Sequence, residues 1–274
     1  MVSKRRTLGL GIAGLGAIGM AVARSVDAGS VPGVGLVAVC SRDRAKAQAA
    51  IAGFSAAPQL ASLAELAEAA DVVVECLPAQ QFAAVAYPAV ERGRIFMPLS
   101  VGALIDHMAL VEWARATGAR IVVPTGALLG LDAVRAAAEG RIASVRIVTR
   151  KPPAGLAGAP LITARGIVLE GLKEPLMVFE GSAREAIAGF PANVNVAVAL
   201  SLAGIGPDAT RAEIWADPSV TRNTHTIVVK ADSSDLTMTI ENIPSEENPR
   251  TGKITALSVL AALRRLTAPL VVGS

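Results

Sequence analysis

The feature that most constrains the fold of this chain is a glycine-rich turn between an apolar strand and a helix. Residues Leu8–Ala23 read LGLGIAGLGAIGMAVA, and the glycines in this stretch have the spacing G-x-G-x-x-G. In a dinucleotide site Gly14 permits the tight turn, Gly16 lets the backbone approach a pyrophosphate, and Gly19 lets the helix lie close to the sheet. The free N–H groups of the helix start would face the phosphates. The predicted dinucleotide contacts in this turn are Gly14, Gly16, Ala17, Ile18 and Gly19.

The same amino-terminal stretch has two other interpretations. Lys4, Arg5 and Arg6 precede an uncharged run that ends in Ala-Val-Ala, which is similar to a secretory or twin-arginine signal and comes near the length of a membrane span. Glycines at fixed spacing argue against both interpretations, and removal of the segment would take away the first strand of the pattern that follows. We therefore expect a cytoplasmic chain with no membrane contact.

Short apolar strands alternate with helices as far as Pro124, which predicts a doubly wound parallel sheet of the Rossmann type over residues 1–124. After the first strand and the helix 17–28, further strands are predicted at 35–40, 71–77, 95–99 and 120–123. The intervening helices are predicted near 45–52, 63–69 with Ser62 as cap, 80–92 and 106–117. Ligands of such sheets bind at the carboxyl ends of the strands, so the turns there should flank the nicotinamide. The residues predicted to do so are Leu77, Pro78, Ser100, Val101 and Gly102.

The end of the second strand bears on the choice between NAD and NADP. An acidic residue at this place would bind the ribose 2′-hydroxyl, but the strand runs instead into Ser41 and Arg42. These two residues could hold a 2′-phosphate, which makes NADP as plausible as NAD. The alternative is that Arg42 and Arg44 are the exposed first turn of the next helix.

The pattern changes after Pro124 and predicts a smaller α+β domain with a mixed sheet over residues 125–246, the substrate or dimerisation domain. Strands are predicted at 143–150, 166–169, 176–180, 210–216, 224–231 and 236–242, with helices at 131–138, 183–188 and 194–203. A loop rich in proline and glycine should run from 152 to 160. The amphipathic helix within residues 247–274 is expected to pack back on the first domain.

Composition excludes several classes of function. The formal charge is only +3, and no basic run is interleaved with aromatic residues, so nucleic-acid binding has no support. Cys40 and Cys76 are the only cysteines and lack metal-ligand spacing, so each is expected to be a buried, reduced thiol and no metal site is predicted.

Several segments together resemble the L-aspartate dehydrogenase family, and they are spread over nearly the whole chain. They are GLGAIG at 14–19, SVGAL at 100–104, PTGALLGLDA at 124–133, TRKPP at 149–153, FPANVNVAVALSLAG at 190–204, RNTH at 222–225 and ENPRTGKITALSVLAAL at 247–263. The resemblance implies a dinucleotide domain, a smaller substrate domain and a homodimer. It also implies oxidation of L-aspartate at Cα to iminosuccinate, with NAD or NADP taking the hydride.

The resemblance also implies roles for individual residues. His225 matches the catalytic histidine, and Ala127 matches a cofactor contact. A second cofactor contact falls on an asparagine of the ANVN segment, for which Asn195 is preferred and Asn193 is the reserve. The sequence departs from the family pattern at Leu128 and Leu129, directly after TGA, and this difference puts only the fine substrate preference in doubt.

The residues themselves leave some of these roles open. Oxidation of an amine needs a base, and histidine suits that role near neutrality. His225 and His107 are the only histidines, and spacing alone does not separate them. Without the resemblance, His225 would be interpreted as a polar residue at an exposed strand end.

Cations should face the two carboxylates of such a substrate. The candidates are Arg150, Lys151, Arg222 and Lys253, and each could equally be an ordinary surface charge. One of the two asparagines could also cap the helix that follows it.

Two other functions fit the same sequence. The chain could be a dehydrogenase of another amino or imino acid, which a comparison of amino acids as substrates would reveal. It could instead be a non-catalytic dinucleotide-binding redox sensor, for which removal of His225 would change no reaction.

Overall fold

The computed structural model describes residues 6–191, 194–247 and 251–273, so Lys4, Arg5 and Asn193 lie outside the described residues. The chain divides into two compact units. Unit 1 contains the residues up to Pro124 together with Thr255–Val271, and unit 2 contains Thr125–Ile254.

Unit 1 is built on a six-stranded parallel sheet. Its strands are β1 (Leu8–Ala13), β2 (Val34–Cys40), β3 (Gln59–Leu60), β4 (Val72–Glu75), β5 (Ile95–Pro98) and β6 (Arg120–Ile121). Its helices up to Pro124 are α1 (Ala17–Asp27), α2 (Arg44–Ile51), α3 (Leu63–Ala69), α4 (Phe82–Glu91), α5 (Val101–Leu104) and α6 (Ala109–Thr117). The strand order β3-β2-β1-β4-β5-β6 is that of a Rossmann fold, which confirms the predicted fold class of this half.

Burial on both faces explains the composition of these strands. Val72, Val73 and Val74 in β4 have no exposed surface, and β4 lies between β1 and β5. Central strands of a parallel sheet are covered by helices on both sides and are therefore continuously apolar rather than alternating.

Unit 2 contains a five-stranded mixed sheet. Its strands are β7 (Ile142–Lys151), β8 (Leu176–Ser182), β9 (Arg211–Ala216), β10 (Thr224–Ala231) and β11 (Asp235–Glu241). Its helices are α7 (Leu131–Ala138), α8 (Pro160–Ala164), α9 (Ala183–Gly189) and α10 (Asn195–Ala203). The order is β11-β10-β7-β9-β8, and the β7–β9 pair is parallel whereas the other pairs are antiparallel. The predicted mixed sheet is confirmed.

One face of this sheet forms the core of unit 2. Val145 and Ile147 of β7 and Ile227 of β10 pack with Val134 of α7 and Leu200 of α10. Because side chains alternate across a strand, the residues two and four positions beyond Ile147 in β7 point to this same core face. This periodicity places the side chains of Thr149 and Lys151, at the carboxyl end of β7, in a buried environment.

The remaining helix, α11 (Ile254–Thr267), packs within unit 1. Val259 and Leu263 are fully buried in the apolar cluster that contains Leu10 and Val34, and the Thr267 hydroxyl donates to the Pro32 carbonyl at 2.7 Å.

Some predicted elements are wrong in detail. Residues 166–169 form no strand. Ile167 and Leu169 pack on the core of unit 2 while Val168 is exposed, so the side chains alternate as in a strand, but the backbone does not pair with the sheet. The predicted loop 152–160 is present as far as Ala159 and contains a 3₁₀ turn at Pro153–Gly155, but α8 begins at its last residue, Pro160. The predicted turn after Ser100 forms the short helix α5. Cys76, which was expected to be a buried thiol, is only partly buried.

Candidate functional site

The three glycines of the amino-terminal turn have different surroundings. Gly14 has φ +98°, and a Cβ there would lie 2.6 Å from the Cys76 carbonyl oxygen, whereas a Cβ on Gly19 would overlap the Gly14 carbonyl. An added Cβ on Gly16 would meet nothing within 4 Å. Packing therefore demands Gly14 and Gly19, and the open space above Gly16 is what a close backbone approach to a pyrophosphate requires.

The helix start beside this turn is also suited to a phosphate. Gly16 is the N-cap of α1 and makes no side-chain capping hydrogen bond, and the first turn, which contains Ala17 and Ile18, has no acidic residue. The N–H groups and the positive end of an eleven-residue helix are thus left for an anion. These observations fit a dinucleotide.

The segment after β2 is polar and exposed. Asp43 caps α2 by accepting the Lys46 N–H at 2.9 Å, so this carboxylate serves the helix. Arg44 donates to the Leu60 carbonyl at 2.9 Å, while Ser41 is half-buried and Arg42 is exposed in front of the helix. The two arginines therefore differ, since Arg44 has a structural partner in the backbone.

The loops after β4 and β5 meet at the carboxyl edge of the parallel sheet. The Ser100 hydroxyl donates to the Leu77 carbonyl at 2.8 Å, which brings together two segments that were predicted to flank the nicotinamide. Glu75 contacts both loops and has no exposed surface. Glu75 was not among the predicted site residues, although a carboxylate within the apolar run DVVVECL indicates a buried polar role.

His107 has neighbours within unit 1 that account for its position. Its Nδ1 atom lies 3.2 Å from the Tyr87 hydroxyl, and its ring stacks on Phe82 with centroids 5.3 Å apart. The contacts with Tyr87 and Phe82 therefore hold the imidazole ring in place.

His225 is the second residue of β10, and its side chain lies on the core-facing side of the unit 2 sheet. It is paired with Thr149 across β10 and β7, only 3% of its surface is exposed, and its Nδ1 lies 3.0 Å from the Thr149 hydroxyl. Burial and the positive charge of Lys151 lower the pKa of His225 to about 3, so the ring is neutral near pH 7. The alternative of an exposed strand end is wrong, because the residue faces the core.

Lys151 follows Thr149 by two positions on β7 and therefore points to the same face. Its exposed fraction is 5%, and burial lowers its pKa to about 8. A lysine is almost never this buried without a functional or pairing reason. The buried cation thus lies beside the buried imidazole.

The other three predicted cations have different surroundings. Arg150 points to the opposite face, where it pairs with Asp217 at 2.8 Å and lies 4.8 Å above the Trp215 ring. Arg222 is exposed in the turn before β10, and Lys253 is exposed and pairs with Glu246 at 2.8 Å. Of the four predicted cations, Lys151 is the one that is buried beside His225.

The loop that contains Ala127 is held by a buried asparagine. Asn242 donates its Nδ2 hydrogen to the Ala127 carbonyl at 3.0 Å, and its backbone N–H donates to the Asn223 carbonyl at 2.8 Å. Asn242 therefore connects the loop to the segment that leads into His225, a role that the sequence analysis missed. Asn195 is the first residue of α10, whose N-cap is Val194, so Asn195 does not occupy the capping position.

Within the described part of the chain, no group of three or more His, Cys, Asp or Glu side chains could hold a metal ion. None of the described helices combines the length and apolar character that a bilayer crossing requires.

Comparison with known proteins agrees with both halves of the molecule. The model of the family described as the NAD-binding domain of homoserine dehydrogenase matches residues 14–124, and the one described as the C-terminal region of aspartate dehydrogenase matches residues 132–266. The L-aspartate dehydrogenase of Bradyrhizobium diazoefficiens is 57% identical over 97% of this chain and 94% of its own length. L-Aspartate dehydrogenase 3 of Bordetella bronchiseptica is 53% identical over the full length of both chains.

Solved structures share the fold. The crystal structure of aspartate dehydrogenase from Thermotoga maritima matches with a TM-score of 0.74 at 23% identity, over 97% of this chain and 99% of that one. GenD2 of gentamicin A biosynthesis, solved in complex with NAD, matches with a TM-score of 0.52 at 16% identity, over 98% of this chain and 89% of that one.

The Rossmann unit with its glycine turn, and the match of this unit to an NAD-binding domain, define a protein that binds a nicotinamide dinucleotide, and the named relatives place it among the oxidoreductases. The sequence similarity over the full length makes the assignment specific. The chain belongs to the L-aspartate dehydrogenase family.

Proposed function

We propose that this protein oxidises L-aspartate at Cα to iminosuccinate, which hydrolyses to oxaloacetate and ammonia, and that the reaction runs in reverse as reductive amination. The observation that carries the proposal is the buried pair of His225 and Lys151 on one face of the unit 2 sheet. A neutral base beside a cation is what an amino-acid substrate with two carboxylates requires. Relatives that are 57% and 53% identical bear the name L-aspartate dehydrogenase.

Lys151 binds a substrate carboxylate in this proposal. Its buried ammonium would form a charge-assisted hydrogen bond with the carboxylate, which is stronger in a dry environment than at the surface. Burial is the main cause of the lowered pKa of His225, and the charge of Lys151 adds to it, so a carboxylate bound to Lys151 would offset that second contribution. Substrate binding therefore makes the imidazole more basic.

His225 acts as the proton acceptor. The α-amino group must lose a proton before Cα can be oxidised, and the neutral imidazole accepts it. Thr149 holds Nδ1 at 3.0 Å, which fixes the ring orientation and leaves Nε2 for the substrate. His225 and Thr149 thus act together, one as base and one as its support.

The cofactor is NAD or NADP, which accepts the hydride from Cα when it is bound. The residues that we propose to hold it are Gly14, Gly16, Ala17, Ile18, Gly19, Leu77, Pro78, Ser100, Val101, Gly102, Ala127 and Asn195. An exposed Arg42 beside Ser41 supports use of NADP, and the absence of an acidic side chain at the end of β2 agrees with this choice.

We also propose a homodimer, on the basis of the family resemblance. Light scattering of the purified protein should give twice the mass of one chain, and a mass of one chain would exclude the dimer.

The substrate assignment is tested by the absorbance of reduced nicotinamide. L-Aspartate should give a rise with at least one of the two cofactors, while D-aspartate, L-asparagine and L-glutamate give little. A faster rise with another amino acid would favour the alternative substrate class. Binding of NADH without turnover of any of these compounds, or of oxaloacetate with ammonia, would favour the redox sensor.

A further inference from the structure

The parallel sheet of unit 1 contains a buried carboxyl group that the proposed chemistry does not use. Glu75 is the last residue of β4, lies in register with Ala13 of β1 and Pro98 of β5, and is completely buried. A carboxyl group at a central strand position loses its hydration, and it is retained only where hydrogen bonds replace the lost water.

The hydrogen bonds come from two different loops. The Leu77 N–H donates to Oε1 at 2.7 Å, and the Ser100 N–H donates to Oε2 at 3.0 Å. The Ser100 hydroxyl lies 3.1 Å from Oε1 and 2.8 Å from the Leu77 carbonyl oxygen. One side chain therefore fixes the backbone after β4 and the backbone after β5 relative to each other.

These two loops lie at the carboxyl ends of adjacent strands, where ligands of doubly wound sheets bind. We propose that Glu75 is a positioning residue that holds the Leu77 and Ser100 loops in the shape that receives the dinucleotide. The proposal rests on the cofactor role of these loops in the function proposed above. Glu75 acts through the loops and does not itself contact the cofactor.

The hydrogen-bond pattern defines an informative substitution. In Glu75→Gln, one of the two carboxyl oxygens is replaced by an NH₂ group. In the wild type each of these oxygens accepts a hydrogen bond from a backbone N–H. Either Leu77 or Ser100 must lose its acceptor, whichever way the amide is turned. The variant keeps the volume of the side chain, so its effect reports the hydrogen bonds rather than a cavity.

A matched control exists in the same unit. Glu65 also accepts a backbone hydrogen bond, from the Ser62 N–H at 2.7 Å, but it serves the capping box of α3 and lies away from both loops in the sequence. Glu65→Gln should therefore leave the exchange of the two loops and the affinity for NADH unchanged.

The experiment is hydrogen–deuterium exchange of the cofactor-free protein, followed by titration with NADH. For Glu75→Gln we expect faster exchange, by roughly tenfold or more, in segment 76–81 or 99–104. The Kd for NADH should rise roughly tenfold, as expected when one buried backbone N–H is left without an acceptor. The KM for the oxidised cofactor should rise similarly, whereas the KM for L-aspartate should not.

Two results would overturn the proposal. One is faster loop exchange with wild-type affinity for NADH, which would make Glu75 a purely structural residue. The other is unchanged exchange in both segments. If Glu75→Gln does not fold, Ser100→Ala takes its place: it keeps the N–H bond to Oε2 and removes the hydroxyl. Exchange in segments 76–81 and 99–104 should then be faster than in the wild type, and unchanged exchange in both segments would overturn the proposal. Absence of NADH binding by the wild type would instead refute the proposed cofactor function itself.

Discussion

The two units differ in the chemical groups that they offer to ligands. In unit 1 these are mainly backbone groups in loops: the N–H groups at the start of α1 and the turns after β4 and β5. In unit 2 they are side chains on strands, since Thr149, Lys151 and His225 occupy core-facing positions of β7 and β10. In the function proposed above, unit 1 binds through the shape of its backbone, and unit 2 acts through buried polar side chains.

This difference has a consequence for stability. Loop backbones can bind a ligand without burying unsatisfied groups in the empty protein, because water reaches them. A buried lysine and a buried histidine, in contrast, shift their own pKa values and weaken the folded state over defined pH ranges. Substitutions in unit 2 should therefore change turnover and the pH dependence of stability, whereas substitutions in unit 1 should change the binding of the cofactor.

The largest expected effect is on turnover. His225→Asn can keep the contact with Thr149 at the position of Nδ1 but removes Nε2, so we expect kcat for L-aspartate to fall by about 10²–10⁴, the usual range for loss of a general base. The turnover rate is measured from the absorbance of reduced nicotinamide. In the matched variant His107→Asn, kcat should stay within roughly twofold of wild type by the same reasoning. Equal losses in both variants would show that the comparison between the units is wrong.

A second prediction concerns stability in acid. His225 takes up a proton near pH 6.5 when unfolded but only near pH 3 when folded, so the unfolded state binds more protons between these values. The free energy of unfolding should therefore fall as the pH drops from 6.5 to 3, by an amount on the order of a few kcal/mol. Denaturant titrations over this range should show a shallower pH dependence in His225→Asn. An unchanged slope would mean that His225 is not buried as described.

Lys151 supplies the third prediction. Lys151→Met should raise the KM for L-aspartate by about 10- to 100-fold, as expected for loss of a hydrogen bond to a charged group. Its burial penalty also disappears, so the variant should be more stable than wild type below pH 8, and the difference should shrink as the pH rises from 8 to 10.5.

Lys230→Met is the matched control for that experiment, because Lys230 is exposed on β10 and pairs with Asp235. It should leave the KM unchanged. A larger rise in KM for Lys253→Met than for Lys151→Met would move the carboxylate site away from the sheet face.

The smallest expected effect concerns the choice of cofactor in unit 1. If Arg42 holds a 2′-phosphate, Arg42→Ala should lower the ratio of kcat/KM for NADP to that for NAD by roughly fivefold, since an exposed charge pair is worth at most about 1 kcal/mol. Arg44→Ala is the control, because Arg44 already donates to Leu60. An unchanged ratio in both variants would make Arg42 an ordinary surface charge.

The sequence predicted unit 1 well because its determinants are local. The glycine spacing fixed the first turn, and Ser62 and Asp43 mark the starts of α3 and α2 by short-range capping hydrogen bonds. The two-residue strand β3 and the helical turn α5 were missed, since both depend on contacts from elsewhere in the fold.

In unit 2, only the family resemblance singled out His225, and the sequence did not separate Lys151 from the other candidate cations. In the sequence, Thr149 and Lys151 lie 76 and 74 positions before His225, and only the antiparallel register of β7 and β10 brings them together. Glu75 and Asn242 escaped prediction for a similar reason, because their partners belong to loops that approach only in the folded chain.

The division between backbone binding and side-chain chemistry is tested most directly by titrating NADH into two variants. His225→Asn should bind NADH with the wild-type Kd despite its loss of turnover. Gly16→Val fills the open space above the turn, so its Kd should rise by roughly tenfold or more. The variant should still fold, because outside the adjacent residues and the helix backbone no atom lies within 4 Å of the added Cβ. Weak NADH binding by His225→Asn, or wild-type binding by Gly16→Val, would contradict the account.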